Sequence, residues 1–119
     1  MLDKMKEALG NQVKEVRISS RLTDDPVCIV ADEGVSLEME KYMANDPMNR
    51  MNGIKATKIL EINPDHPIFA KLQSVYKEEP EKLDDYTDIL YNQALLIQGL
   101  PISDPVAYAK KIANMMLEK

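Results

Sequence analysis

Few residues in this sequence could carry acid–base or nucleophilic chemistry. Among 119 residues there is one histidine and one cysteine, so a Ser-His-Asp or Cys-His arrangement would have to use His66. That histidine stands between Pro64 and Pro67, where a helix is expected to begin, and the position favours capping over catalysis. Cys28 lies in the apolar run 27–30, which favours a small buried residue over a reactive thiol.

Sites for phosphate or metal ions are not indicated either. The four glycines are isolated, so no glycine-rich loop is available to cradle a phosphate. A single cysteine cannot form an internal disulfide, and no loop alternates acids around a glycine as calcium sites do. Asp84 and Asp85 are adjacent on a predicted helix and point apart, which suits neither an acid–base pair nor two metal ions. We therefore predict that this chain has no enzyme activity, no metal and no cofactor.

The charge balance excludes further classes of partner. Fifteen basic residues against twenty acidic ones give a net charge of -5. A protein that neutralises phosphates needs a concentrated basic face, which no run supplies, so we predict neither a nucleic-acid partner nor a membrane partner. No stretch approaches the roughly 18 apolar residues that cross a bilayer. One cysteine and no apolar signal-peptide core suit a cytoplasmic location.

Local patterns in the first half predict a small sheet. Apolar spacing predicts a helix over 2–9, and alternation from Val16 to Leu22 predicts a strand. The β-branched run 27–30 predicts a second strand, expected to pair with the first as an antiparallel hairpin. A third strand is predicted over 58–62. Strand, helix and strand in this order favour a parallel crossover, so the sheet should be mixed and three-stranded.

The second half is predicted to be helical. Pro67 suits a first turn with Asp65 or His66 as the cap. A longer helix should open at Pro80 and end near Gln98, because Gly99 fits the left-handed position after a helix. A last helix is expected to be capped by Ser103. We predict one α+β domain over 1–119, a small mixed sheet packed with helices.

One apolar face is rich in methionine. On a helix predicted over about 36–45, four residues share a side: Val35, Met39, Tyr42 and Met43. We call these four residues the Met face. Two interpretations stay open: it is the core side of a crossover helix, or it is a surface that accepts varied partners, as flexible methionine-rich surfaces do.

The two C-terminal helices carry more apolar surface than one small sheet can cover. Between 89 and 97 the apolar residues go most of the way round the helix, which indicates burial on more than one side. The simplest cover is the same pair of helices from a second copy, giving a four-helix dimer interface. A self-contained helical layer is the alternative.

Three stretches, in order, resemble the C-terminal domain of the heat-shock protein 90 chaperones: VKEVRISSRLTDDPVCIVAD, KILEINPDHPIFAKL and QALLIQGLPISDP. The resemblance extends from about Lys4 to the end of the chain. It implies a homodimerisation module of an ATP-dependent chaperone, with strands and a client-contact helix over about 12–63 and a dimerisation part over about 66–118. It assigns client contact to the Met face. It places the dimer interface on the last two helices, where we select Leu95, Leu96, Tyr108, Ile112, Met115 and Met116.

The resemblance also concerns domains and partners outside this sequence. ATP and magnesium would bind in upstream domains that this sequence does not contain. The ending at Leu117-Glu118-Lys119 is similar to bacterial members, so we expect no co-chaperone docked on an acidic tail. Two alternative functions stay open: a free-standing dimeric adaptor, and a small-ligand-binding enzyme subunit with a pocket near His66.

Overall fold

In the computed structural model, residues 1–20, 24–31, 57–102 and 104–117 are described, and they form three strands and four helices. The strands are β1 (Glu15–Ile18), β2 (Val27–Ala31) and β3 (Lys58–Ile62). The helices are α1 (Leu2–Leu9), α2 (Pro67–Glu78), α3 (Leu83–Ile97) and α4 (Pro105–Leu117). Short 3-10 turns at Gly10–Gln12 and Pro80–Lys82 follow α1 and precede α3. The predicted α+β class is confirmed.

The sheet is mixed, as predicted, but its strand order is β1-β3-β2. β3 lies in the centre, parallel to β1 and antiparallel to β2. The predicted hairpin between the first two strands is therefore wrong, and so is the parallel pairing expected between the second and third. Alternation of side chains fixes which residues share a face, but it carries no information about which strand is the neighbour.

One face of the sheet forms the hydrophobic core. The register places Val16 beside Leu60, and Leu60 beside Ile29, in one row across the three strands. All three side chains are buried in the main core cluster, together with Met5 and Leu9 from α1. Such rows of β-branched and aliphatic residues on one side of a sheet are what a helical layer can cover.

Helix α3 is the central element of that layer, because it packs against α1, α2, α4 and β2. Its buried side chains include Leu83, Leu90 and Ala94. Two polar contacts hold its neighbours in place. Tyr91 Oη donates a hydrogen bond to the carbonyl of Gln12 over 3.4 Å, and Lys4 Nζ lies 3.6 Å from Asp84 Oδ1.

The end of α3 is fixed by a glycine in the left-handed conformation, as the sequence predicts. Gly99 has φ 81°. Its N–H donates to the carbonyl of Leu96, and the N–H of Leu100 donates to the carbonyl of Leu95 over 2.9 Å. These two bonds form a Schellman motif, in which the residue after the glycine packs back on the helix. Leu100 and Leu95 accordingly belong to the same core cluster.

Helix α4 begins at a side-chain cap. Asp104 Oδ1 accepts a hydrogen bond from the N–H of Ala107 over 3.0 Å. The bond satisfies one of the free N–H groups of the first turn, which is the task of an N-cap. The predicted cap, Ser103, lies outside the described residues.

Candidate functional site

The most distinctive surface of the described chain lies on the hairpin of α3 and α4. Unlike α1, α2 and α3, helix α4 has no buried residue. This is unusual because nine of its thirteen residues are apolar, counting alanine and tyrosine. An amphipathic helix gains most of its stability by burying its apolar side. Within this single chain, α4 does so incompletely.

The exposed apolar side chains fall at both ends of this hairpin. Leu96 and Ile97, at the end of α3, are 48% and 54% exposed. Met116 and Leu117, at the end of α4, are 79% and 82% exposed. We call these four residues, together with the exposed Val106, the hairpin patch.

A second row of α4 faces its own chain. Tyr108, Ile112 and Met115 follow at helical spacing, and each is half-buried. The helix α4 packs against α3, and Met115 lines a cavity together with Ile89 and Leu90 of α3, so we assign this row to the side of α4 that faces α3. The helix therefore has two apolar sides, one turned towards α3 and one exposed.

An ion pair joins the two helices. Lys111 Nζ donates to Asp88 Oδ2 over 2.8 Å and lies 4.0 Å from Asp85 Oδ1. The hydrogen bond to Asp88 is the main cause that raises the pKa of Lys111 above its ordinary value, and the charges of Asp88, Asp85 and Asp104 add to it. The pair is a polar contact between α3 and α4.

The six residues predicted for a dimer interface differ from one another in how exposed they are. Leu96 and Met116 are exposed, as a residue that meets a partner must be in the free chain. Tyr108, Ile112 and Met115 are half-buried against α3. Leu95 is only 6% exposed and packs in the core of its own chain. The role of each of these residues in a dimer remains a prediction.

The histidine caps a helix. His66 precedes α2, and its Nδ1 accepts a hydrogen bond from the N–H of Ile68 over 3.0 Å. Asn63 supports the same turn, because its Oδ1 accepts from the N–H of Asp65 and its amide donates to the carbonyl of Asp25. The predicted capping role is confirmed.

A cavity of about 150 Å³ opens beside this histidine. The described residues around it come from the start of β2, the start of α2, and helices α3 and α4: Pro26, His66, Ile68, Tyr86, Ile89, Leu90, Gln93 and Met115. None of these residues is a carboxylate or a thiol. The lining therefore offers His66 no acidic partner for general acid–base work.

A sequence model of the family described as "Hsp90 protein" matches residues 1–119. The chain belongs to the Hsp90 family. Among curated relatives, it is 48% identical over 117 residues to Chaperone protein HtpG of Bacillus subtilis (strain 168) and 49% identical over 116 residues to that of Clostridium acetobutylicum. It is 47% identical over 116 residues to Chaperone protein HtpG of Natranaerobius thermophilus.

These matches concern one part of a longer chaperone. Each covers 98% of this chain but 18% of the relative. The resemblance noted in the sequence is thereby confirmed at the level of the family. The division of the chain at about residue 65 and the roles of its two parts stay predictions.

Residues 61–67 join the sheet to the helical layer. Glu61 lies in β3 and is only 3% exposed, and His66 caps α2 six residues before Leu72, which belongs to the core. Sequence reasoning missed what Glu61 contacts. Arg17 reaches its Oε2 with Nε at 2.8 Å and Nη2 at 2.7 Å, and Cys28 Sγ donates to Oε1 at 3.6 Å.

This polar row follows directly from the register, which aligns Arg17, Glu61 and Cys28 across the sheet. The carboxylate of Glu61 raises the pKa of Arg17, chiefly through their hydrogen bond. Cys28 is half-buried, so it is less buried than the apolar run 27–30 predicts. A carboxylate acceptor beside the thiol fits a structural role. These contacts could not have been predicted from the sequence, because the register of the three strands was not known.

The structure does not test the client-contact prediction. Val35, Met39, Tyr42 and Met43 all lie outside the described residues, so the Met face stays a prediction.

In the part of the chain that the structure describes, no three metal-ligating side chains are grouped to hold an ion. None of the described helices is long and apolar enough to span a bilayer.

Proposed function

We propose that this chain is the homodimerisation and client-contact segment of an ATP-dependent chaperone of the Hsp90 family. The observation that carries the proposal is helix α4, which is mostly apolar and yet buries no residue within its own chain. A second copy would cover the hairpin patch with the same patch, as a two-fold interface requires. The resulting arrangement is a four-helix bundle of α3 and α4 from both copies.

The proposed function is mechanical. A dimer that persists at working concentrations buries roughly 1,200–2,000 Å² of surface. Such a joint holds the two upstream parts of the chaperone at high effective concentration, so they can close on each other and reopen. ATP and magnesium would bind in those upstream parts. The catalytic step lies outside this segment, and the whole protein works in the cytoplasm.

Client contact is assigned to the Met face. Methionine side chains are unbranched and polarizable, so one surface can adapt to many unfolded partners. Support comes from the sequence pattern and from the family resemblance. Because these residues stand between β2 and β3 in the chain, the contact would be made by a segment that the sheet anchors at both ends.

A charge placed in the hairpin patch tests the proposal. Leu96→Glu should dissociate the dimer, because it buries an unpaired carboxylate in an apolar interface. Tyr76→Glu is the matched control, since Tyr76 on α2 is 43% exposed and Leu96 is 48% exposed. Sedimentation velocity should show a monomer for Leu96→Glu and a dimer for Tyr76→Glu. If both variants sediment as dimers, the interface is not on this hairpin.

A further inference from the structure

A second cavity, of about 360 Å³, lies where the end of α1 meets the sheet. Three lysines line it, Lys6, Lys14 and Lys58, together with the amide residues Asn11 and Gln12. None of the described residues around it is acidic. We call it the lysine cavity. In a chain with a net charge of -5, three cationic residues around one cavity reverse the sign of the charge locally.

The fold gathers these lysines from three parts of the chain. Lys6 lies on α1, Lys14 directly precedes β1, and Lys58 is the first residue of β3. Because β1 and β3 are parallel, both strands begin at the same end of the sheet. The N–H of Lys14 donates to the carbonyl of Lys58 over 2.7 Å, and α1 packs against β1. The three positions are far apart in the chain, so the sequence alone does not predict this site.

Two side chains beside the cavity are held at the end of α1 by backbone carbonyls. Lys6 Nζ donates to the carbonyl of Gly10 over 2.6 Å, and Gln12 Nε2 donates to the carbonyl of Leu9 over 3.1 Å. An ammonium group has three N–H donors and a side-chain amide has two. Each group therefore has donors beyond the one that its backbone carbonyl accepts, and an anion could accept them.

The charges around the cavity favour an anion. Lys58 is only 6% exposed, and burying an ammonium group is costly unless anionic or hydrogen-bonding partners surround it. Like charges on neighbouring elements also repel each other. An anion between the three lysines lowers both costs. A phosphate group suits this task better than chloride, because it carries more than one negative charge at neutral pH and offers several acceptor oxygens.

We propose that the lysine cavity is a binding site for a phosphate-type oxyanion. The site goes beyond dimerisation and client contact and depends on neither of them. The cavity volume is several times the roughly 30 Å³ that one water molecule occupies in the liquid, so the anion enters with part of its hydration shell. Water and salt screen the lysine charges, and we expect a dissociation constant on the order of 1 mM.

An NMR titration with inorganic phosphate tests the proposal. The ¹⁵N-labelled chain receives sodium phosphate at neutral pH while sodium chloride keeps the ionic strength constant. We expect saturable shifts for the backbone amides of Asn11, Gln12 and Lys14. The amide of Lys77, an exposed lysine on α2, is the internal control and should not show them. Shifts that do not saturate, or that are equal at Lys77, would refute the site.

A matched pair of substitutions provides the second measurement. Lys14→Gln and Lys77→Gln each remove one positive charge from an exposed residue, so neither disturbs the core. Lys14→Gln should weaken phosphate binding by about fivefold, as expected for the loss of one charge close to the anion. Lys77→Gln should leave the dissociation constant for phosphate unchanged. Equal dissociation constants for the two variants would refute the site, whatever the oligomeric state of the chain.

Discussion

Lys111 of α4 and Asp88 of α3 form a direct ion pair, with 2.8 Å between Nζ and Oδ2. The pair joins two helices whose remaining contact is a half-buried apolar row. Both side chains are about one-third exposed, so solvent screens the attraction and its contribution to stability is at most about 1 kcal/mol. It is a direct polar contact between α4 and α3.

The ion pair predicts a pH dependence. Its hydrogen bond to Asp88 raises the pKa of Lys111 above 10.5 in the folded chain. A raised lysine pKa contributes stability that is fully present below the unfolded value and is lost as pH rises through the folded value. Lys111→Met should therefore lower the free energy of unfolding at neutral pH, by at most about 1 kcal/mol. Above pH 10.5 the difference from the unsubstituted chain should shrink.

Urea denaturation at neutral pH and above pH 10.5 measures the free energy of unfolding of both chains. Lys110→Met, at the exposed neighbouring position, is the matched control and should change stability less at neutral pH. A Lys111→Met effect that persists undiminished at high pH would show that the charge of Lys111 is not what stabilises the contact of α4 with α3.

The capping bond of His66 predicts a stability change with a conservative rescue. His66→Ala leaves the N–H of Ile68 without its side-chain acceptor and should cost roughly 0.5–2 kcal/mol. His66→Asn should recover most of that loss, because asparagine is among the best N-cap residues. Thermal unfolding followed by circular dichroism measures both variants. Equal losses for alanine and asparagine would show that the cap is not what the histidine contributes.

The Met face predicts a separation of binding from stability. Met39→Glu and Met43→Glu should change the free energy of unfolding by less than about 0.5 kcal/mol if the face is exposed. They should weaken binding to an unfolded model protein, measured by fluorescence anisotropy. Lys41→Gln, which changes the charge by the same amount on the opposite side of the predicted helix, is the control. A large loss of stability in the methionine variants would show that this face is core.

Local features of the fold could be predicted from the sequence. The spacing of Leu2, Met5 and Leu9 gives α1, the His66-Pro67 pair gives the start of α2, and Gly99 gives the end of α3. Each depends on residues close together in the chain, where propensity and capping rules apply. The pairing of β1 with β3 depends on residues more than forty positions apart, as with Arg17 and Glu61, and no local rule reaches that far.

The candidate site was predictable only in part, for a related reason. Surplus apolar residues on the last two helices are visible in the sequence, but their division between core and surface is not. Leu95 and Leu96 are adjacent and identical in type, yet one is buried and the other half-exposed. Leu95 packs in the core cluster with residues distant in the chain, such as Met5 and Leu60, whereas Leu96 does not.

The oligomeric state of the unaltered chain is the most direct test of the proposed dimer. Sedimentation equilibrium over a range of protein concentrations measures the mass without any substitution. We expect a single species with twice the 13.5 kDa mass of one chain at micromolar concentrations. A chain that remains a monomer at tens of micromolar would contradict it.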